Sequence, residues 1–136
     1  MFELTAKDIM TKDITTITAT EKVSAAEITM IKHNVGGLPV ITEKSKELIG
    51  IITQRDIQIS KSIIGTEAFH ISDIYSSNPV KVFPETLFPQ IIHLMNDNNI
   101  ERVPVVNDDN HVIGIIVNSD IVKALDHYFK KQNKTN

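Results

Sequence analysis

Apolar positions follow two rhythms along this chain, and both rhythms occur twice. Residues 14–18 and 80–83 are short, β-branched stretches that read as extended segments. A stretch with helical spacing follows each one. Val23, Ala26 and Met30 stand three and four residues apart, as do Phe88, Ile91 (or Ile92) and Met95, so each stretch carries one apolar stripe. Pro89 suits a first helical turn, where its missing N–H has no partner in any case. Two strands come next in each half: Leu38-Pro39-Val40-Ile41 with residues 48–52, and residues 103–106 with 112–117. The loops between them, 42–47 and 107–111, are polar. A second helix starts near Asp56 and again near Asp120. The predicted unit is β-α-β-β-α, taken twice, in the α/β (α+β) class.

A direct self-comparison supports the duplication. At a shift of 65, Asp8-Ile9 falls on Asp73-Ile74, Met30 on Met95, Asn34 on Asn99 and Pro39-Val40 on Pro104-Val105. One loop residue is then lost. At a shift of 64, Ile49-Gly50-Ile51-Ile52 falls on Ile113-Gly114-Ile115-Ile116, and Asp56-Ile57 on Asp120-Ile121. Matches at a Pro, a Gly and an Asp lie where backbone or chemistry restricts choice. The repeats are assigned to 7–60 and 71–126, with 61–70 as linker and 127–136 as a solvated polar tail.

The runs 48–52 and 112–117 are almost wholly apolar, which predicts strands covered on both faces. A unit of this size rarely sustains its own core. The two repeats are therefore expected to pack sheet-to-sheet about a pseudo-twofold axis, which leaves two equivalent clefts.

Composition sharpens the picture. The 136 residues include 22 Ile and 11 Val against 6 Leu, an excess that favours strands. The absence of Cys excludes a disulfide frame, a thiol nucleophile and a thiolate metal site, and suits a reducing cytosol. No apolar run reaches the ~18 residues of a membrane span. The mixed, acidic N-terminus does not read as a signal peptide. A net charge of −3 with scattered Lys argues against nucleic acid as a partner. His93 and Asp97 share a helix face, but two ligands do not make a metal site. No Ser-His-acid set, paired carboxylates, G-x-G-x-x-G or P-loop is present, so no catalytic residue is assigned.

The densest motif is Ile49-Gly50-Ile51-Ile52-Thr53-Gln54-Arg55-Asp56-Ile57, a strand, a turn and a helix start. Thr53 and Asp56 can form a capping box. Equally, a helix N-terminus with a hydroxyl and a carboxylate can bind a nucleotide, the carboxylate accepting ribose hydroxyls and backbone N–H groups facing phosphate. The second copy keeps Asp120 but has Val117 in place of Thr53, so Asn118 or Ser119 would have to cap later. Capping alone does not require Asp120 to hold its register, and its retention favours a ligand.

These residues resemble the cystathionine-β-synthase (CBS) domain. The likeness lies in Gly37-Leu38-Pro39-Val40-Ile41 with Ile49 to Ile57, in the opening Asp8-Ile9-Met10-Thr11, and in Glu101-Arg102-Val103-Pro104-Val105-Val106 with Ile113 to Asp120. It covers about residues 7–126. The resemblance implies a CBS pair, or Bateman module: a regulatory, non-enzymatic domain that binds adenosine-containing ligands and forms homodimers. In its first cleft, Thr53 and Asp56 would hold ribose and phosphate, and Ile51 would lie under the adenine. The backbone at Pro79 and Val80 would read the base edge, with Arg102 and Ser119 reaching phosphate. In its second cleft, Asp120 would hold ribose, Ile115 would lie below the base, Ile14 and Thr15 would line its edge, and Arg55 would be the cation. Val117 and Gly37 depart from the family pattern there, so the first cleft is expected to bind more tightly. Arg55 and Arg102 are the only two Arg beside 12 Lys, and a guanidinium fork suits phosphate, although pairing with Glu101 or Asp56 is an equal alternative.

The resulting expectation is a cytoplasmic sensor that requires no cofactor. It would take AMP, ADP or ATP first, then S-adenosylmethionine or cyclic di-AMP, and signal to a downstream protein by population shift. The alternative is a ligand-free dimerisation module or the regulatory fragment of a larger enzyme or transporter. The initial Met1 and short tail favour a free-standing protein.

Overall fold

A computed structural model of the chain describes residues 3–64 and 69–135. The middle of the expected linker, residues 65–68, lies outside the described residues. The elements run α1 (Ala6–Ile9), β1 (Ile17–Thr18), α2 (Val23–His33), β2 (Gly37–Ile41), β3 (Leu48–Thr53) and α3 (Gln54–Ile64). A 3-10 turn (Ile71–Asp73), β4 (Ser76–Ser77), α4 (Phe88–Asp97), β5 (Arg102–Val106), β6 (Val112–Val117) and α5 (Asn118–Thr135) complete the chain.

The chain forms two compact units, named here by their carboxylates. The Asp56 unit comprises Thr15–Pro79 and Asp109–His111, and the Asp120 unit comprises Met1–Ile14, Val80–Asp108 and Val112–Asn136. These units are not the sequence repeats, because each repeat's leading segment packs in the unit of the other repeat. In the Asp56 unit, the Ile71 N–H donates to the Glu21 carbonyl (2.8 Å) and the Val23 N–H donates to the Phe69 carbonyl (3.0 Å). In the Asp120 unit, Ala6 N–H donates to the Thr86 carbonyl (2.9 Å) and Phe88 N–H to the Leu4 carbonyl (2.8 Å). Ile71 and Ala6, which the 65-residue shift superposes, are both fully buried at 0% exposure.

Each unit is built as its apolar pattern dictates. In the Asp56 unit, Val23, Ala26 and Met30 of α2 pack on Leu38, Val40 and Ile52 of the sheet, together with Ile57 of α3. The sheet order is β1-β2-β3-β4, with β1 parallel to β2 and the other neighbours antiparallel. In the Asp120 unit, Ile91 and Met95 of α4 pack on Val103, Val105 and Ile116. Here β5 pairs antiparallel with β6, and the counterpart of β1 is a single parallel bridge between Val82 and Val105. Asn34 and Asn99, matched by the repeat, take positive φ values of 53° and 52° just after α2 and α4. Asn tolerates that left-handed conformation, which ends a helix.

Two expectations need correction. Strand β3 alternates buried and half-buried residues along its length, so only one of its faces is fully covered. Residues 127–135 are not a loose tail; α5 continues through them to Thr135. Ile121, Ala124, Leu125 and Tyr128 recur at helical spacing on α5 and are half-buried. The charge-rich composition of the segment conceals that stripe.

Gly50 and Gly114 matter because another segment crosses β3 and β6 at them. A Cβ on Gly50 would lie 2.2 Å from the Tyr75 ring and 2.5 Å from the Ser76 carbonyl oxygen. A Cβ on Gly114 would lie 2.3 Å from the Met10 sulfur. A thioether can rotate away, whereas a backbone carbonyl paired in a sheet cannot. Gly50→Ala is therefore expected to destabilise by about 2 kcal/mol and Gly114→Ala by clearly less. Urea denaturation of the two variants checks the order, and equal losses would contradict it.

Candidate functional site

Asp56 and Asp120 occupy one position in their units, the first turn of the helix that follows a strand directly. Their surroundings differ. In the Asp56 unit the strand ends on Thr53, and a reciprocal capping box forms. The Thr53 N–H donates to Asp56 Oδ2 (2.9 Å), and the Asp56 N–H donates to Thr53 Oγ1 (3.2 Å). Thr53 accepts in that bond, so its own hydroxyl proton remains available. Among the described residues nothing donates to the second carboxylate oxygen, Oδ1, and the side chain is half-buried. The site thus offers one committed and one open carboxylate oxygen beside a hydroxyl and a helix N-terminus.

In the Asp120 unit the strand ends on Val117, which has no hydroxyl to cap with. Half of the box survives, since the Val117 N–H donates to Asp120 Oδ2 (2.8 Å). The other oxygen, Oδ1, accepts from the Thr11 hydroxyl (3.0 Å). Asp120 is 7% exposed. Asn118 and Ser119 do not take over the cap, because α5 begins at Asn118 and both lie past the capping position. The bond to Val117 by itself accounts for the preserved register of Asp120, so that register is no independent sign of a ligand.

The segments crossing the two strands also correspond. Ser76 pairs with Ile51 in the Asp56 unit. In the Asp120 unit Thr11 pairs with Ile115, through Thr11 N–H to the Ile115 carbonyl (2.8 Å) and the reverse bond (3.0 Å). Ile51 and Ile115 are each half-buried. The chain then passes from one unit to the other between Ile14 and Thr15, and again between Pro79 and Val80. These four residues are the ones expected along the adenine edge.

Of the residues expected in the first site, Ile51, Thr53, Asp56 and Pro79 belong to the Asp56 unit, and Val80, Arg102 and Ser119 to the Asp120 unit. Of those expected in the second site, Ile14, Ile115 and Asp120 belong to the Asp120 unit, and Thr15 and Arg55 to the Asp56 unit. Arg55 is exposed and makes no ion pair among the described residues. Arg102 lies 3.7 Å from Glu101 Oε2, with its side chain 19% exposed. Among the described residues no three His, Cys, Asp or Glu side chains cluster as a metal site. None of the described helices is long and apolar enough to cross a membrane. The role of Thr11 was not legible beforehand, because its partner lies 109 residues away.

The sequence pattern of the CBS domain matches residues 6–59 and 71–127. Inosine-5'-monophosphate dehydrogenase of Methanocaldococcus jannaschii is 32% identical over 118 residues, which is 87% of this chain and 23% of the dehydrogenase. The chain thus spans about a quarter of that relative. The CBS domain pair of protein MJ0100, solved with 5'-methylthioadenosine and S-adenosyl-L-methionine, superposes with a TM-score of 0.84 at 28% identity, over 92% of this chain and 98% of that one. CBSX2 in complex with AMP superposes with a TM-score of 0.78 at 25% identity, over 91% and 97%.

Proposed function

Because the chain belongs to the CBS-domain family and carries two copies of the domain, we propose that it is a regulatory module that binds an adenosine-containing ligand at Asp56. The observation that carries this reading is the open carboxylate oxygen of Asp56 beside the uncommitted Thr53 proton. A ribose diol supplies two donors for that oxygen, and Thr53 and the first turn of α3 supply donors for a phosphate. Ile51 offers an apolar seat for the base, and Pro79 lies where the chain passes between its units. Proteins of the same fold hold AMP, S-adenosylmethionine or methylthioadenosine, so the adenosine moiety is the shared element. The reading calls for no catalytic residue. Occupancy acts by favouring one arrangement of the chain, which a partner protein then reads.

The test is thermal denaturation with AMP, ADP, ATP, S-adenosylmethionine and cyclic di-AMP, each added in turn. At least one should raise the melting temperature by several degrees. Silence across the whole set overturns the reading.

A second reading, a self-associating module, is favoured by one observation. Ile28 (57% exposed), Ile31 (74%) and Val35 (37%) form an apolar stripe along and just after α2, and Val122 (63%) and Phe129 (58%) are exposed on α5. Equilibrium sedimentation should give a dimer, and Ile31→Asp should shift it toward monomer. A monomeric parent chain removes this reading.

A further inference from the structure

The two carboxylates differ in one respect that bears on how many ligands the chain takes. Asp120 is nine-tenths buried and both of its oxygens are engaged, Oδ2 by the Val117 N–H at 2.8 Å and Oδ1 by the Thr11 hydroxyl at 3.0 Å. Asp56 has only the equivalent of the first bond. Its counterpart of Thr11 is Ser76, which stands opposite Ile51 as Thr11 stands opposite Ile115. Ser76 also carries a hydroxyl, yet among the described residues it makes no bond to Asp56.

We infer that the Thr11 hydroxyl occupies at Asp120 the place a ligand hydroxyl takes at Asp56, so that the chain binds one adenosine ligand and is closed at its second carboxylate. This rests on the reading of Asp56 as a ribose acceptor. A hydroxyl bonded to a carboxylate is chemically a ribose hydroxyl already in place. With one acceptor site of Oδ1 taken and the carboxylate nine-tenths buried, an incoming diol places both hydroxyls there only by displacing Thr11, with no net gain in bonds. At Asp56 it meets an oxygen with no donor to displace. The Val117 substitution acts in the same direction, since the closed position also lacks the hydroxyl that Thr53 offers. Thr11 lies in the short segment after α1, paired to β6 through Ile115. Its hydroxyl, held there by the backbone pairing with Ile115, acts as an internal latch on the second position.

The experiment is isothermal titration of the full chain with AMP, ADP, ATP, S-adenosylmethionine and cyclic di-AMP, each separately, for the parent and four variants. The parent should take one equivalent, Asp56→Ala none, and Asp120→Asn one. Thr11→Val, which keeps the shape and removes the hydroxyl, should take two. Thr11→Ser, which keeps a hydroxyl, should return to one and guards against a folding defect in Thr11→Val. Two equivalents in the parent, the second lost in Asp120→Asn, would overturn the latch while leaving the Asp56 site intact. One equivalent in a folded Thr11→Val chain would overturn it equally. Absence of heat with all five probes in every variant overturns the adenosine-binding reading itself, and the latch with it.

Discussion

Replacing Ile71 by alanine is expected to lower the stability of the chain by about 3 kcal/mol. Ile71 sits in the 3-10 turn at the head of the second repeat, with none of its side chain exposed. Its side chain belongs to the core formed by Ile17, Val23, Met30, Leu38 and Ile52, all residues of the first repeat. Truncation removes three carbons from a filled site. The backbone on either side is fixed by bonds from Ser72 N–H to the Ala19 carbonyl (2.9 Å) and from Ile71 N–H to the Glu21 carbonyl (2.8 Å). It cannot easily move in to close the cavity, so the loss includes a cavity term beyond the transfer term. Urea denaturation should show a lower midpoint with an unchanged slope. Ser72→Ala, at the exposed neighbouring position, should stay within about 0.5 kcal/mol. If Ile71→Ala stayed within that same margin, the segment would be a loose connection and the exchange of leading segments would be wrong.

That exchange marks the limit of what the sequence discloses. Periodicity located α2, α4 and the β2-β3 and β5-β6 strand pairs, because burial of one face imposes a pattern that each element carries within itself, whereas the four-residue α1 is too short to show one. Pro39 and Pro104, Gly50 and Gly114, and Asn34 and Asn99 were legible as matched positions for the same reason: backbone geometry restricts each one locally. Which copy Ile71 packs against is not a local property. A duplicated chain offers two similar sockets, and nothing in the pattern around Ile71 selects between them. The site divides in the same way. Asp56 and Thr53 were legible, because a capping box and a ligand-binding turn share one local motif. The closure of Asp120 was not, since it depends on Thr11, 109 residues away in the chain.

The largest functional effect should separate the two carboxylates by crossing stability with ligand response. An adenosine ligand present at about 100 times its dissociation constant should stabilise the folded chain by roughly 2.7 kcal/mol, by mass action alone. Asp56→Ala should remove nearly all of that stabilisation. Its cost without ligand should be only about 1 kcal/mol, the worth of a helix cap, since the carboxylate holds just the Thr53 N–H. Asp120→Ala should do the reverse. It leaves the Val117 N–H and the Thr11 hydroxyl without their acceptor at a buried position, at a cost of about 2 kcal/mol, while the ligand-induced gain persists. Melting curves of both variants with and without S-adenosylmethionine or AMP measure all four quantities. The crossing pattern discriminates because a purely structural pair of caps would lose stability in both variants and ligand response in neither. A symmetric pair of ligand sites would instead lose comparable parts of the response in each. Only a chain with one open and one internally satisfied carboxylate separates the two effects between Asp56 and Asp120.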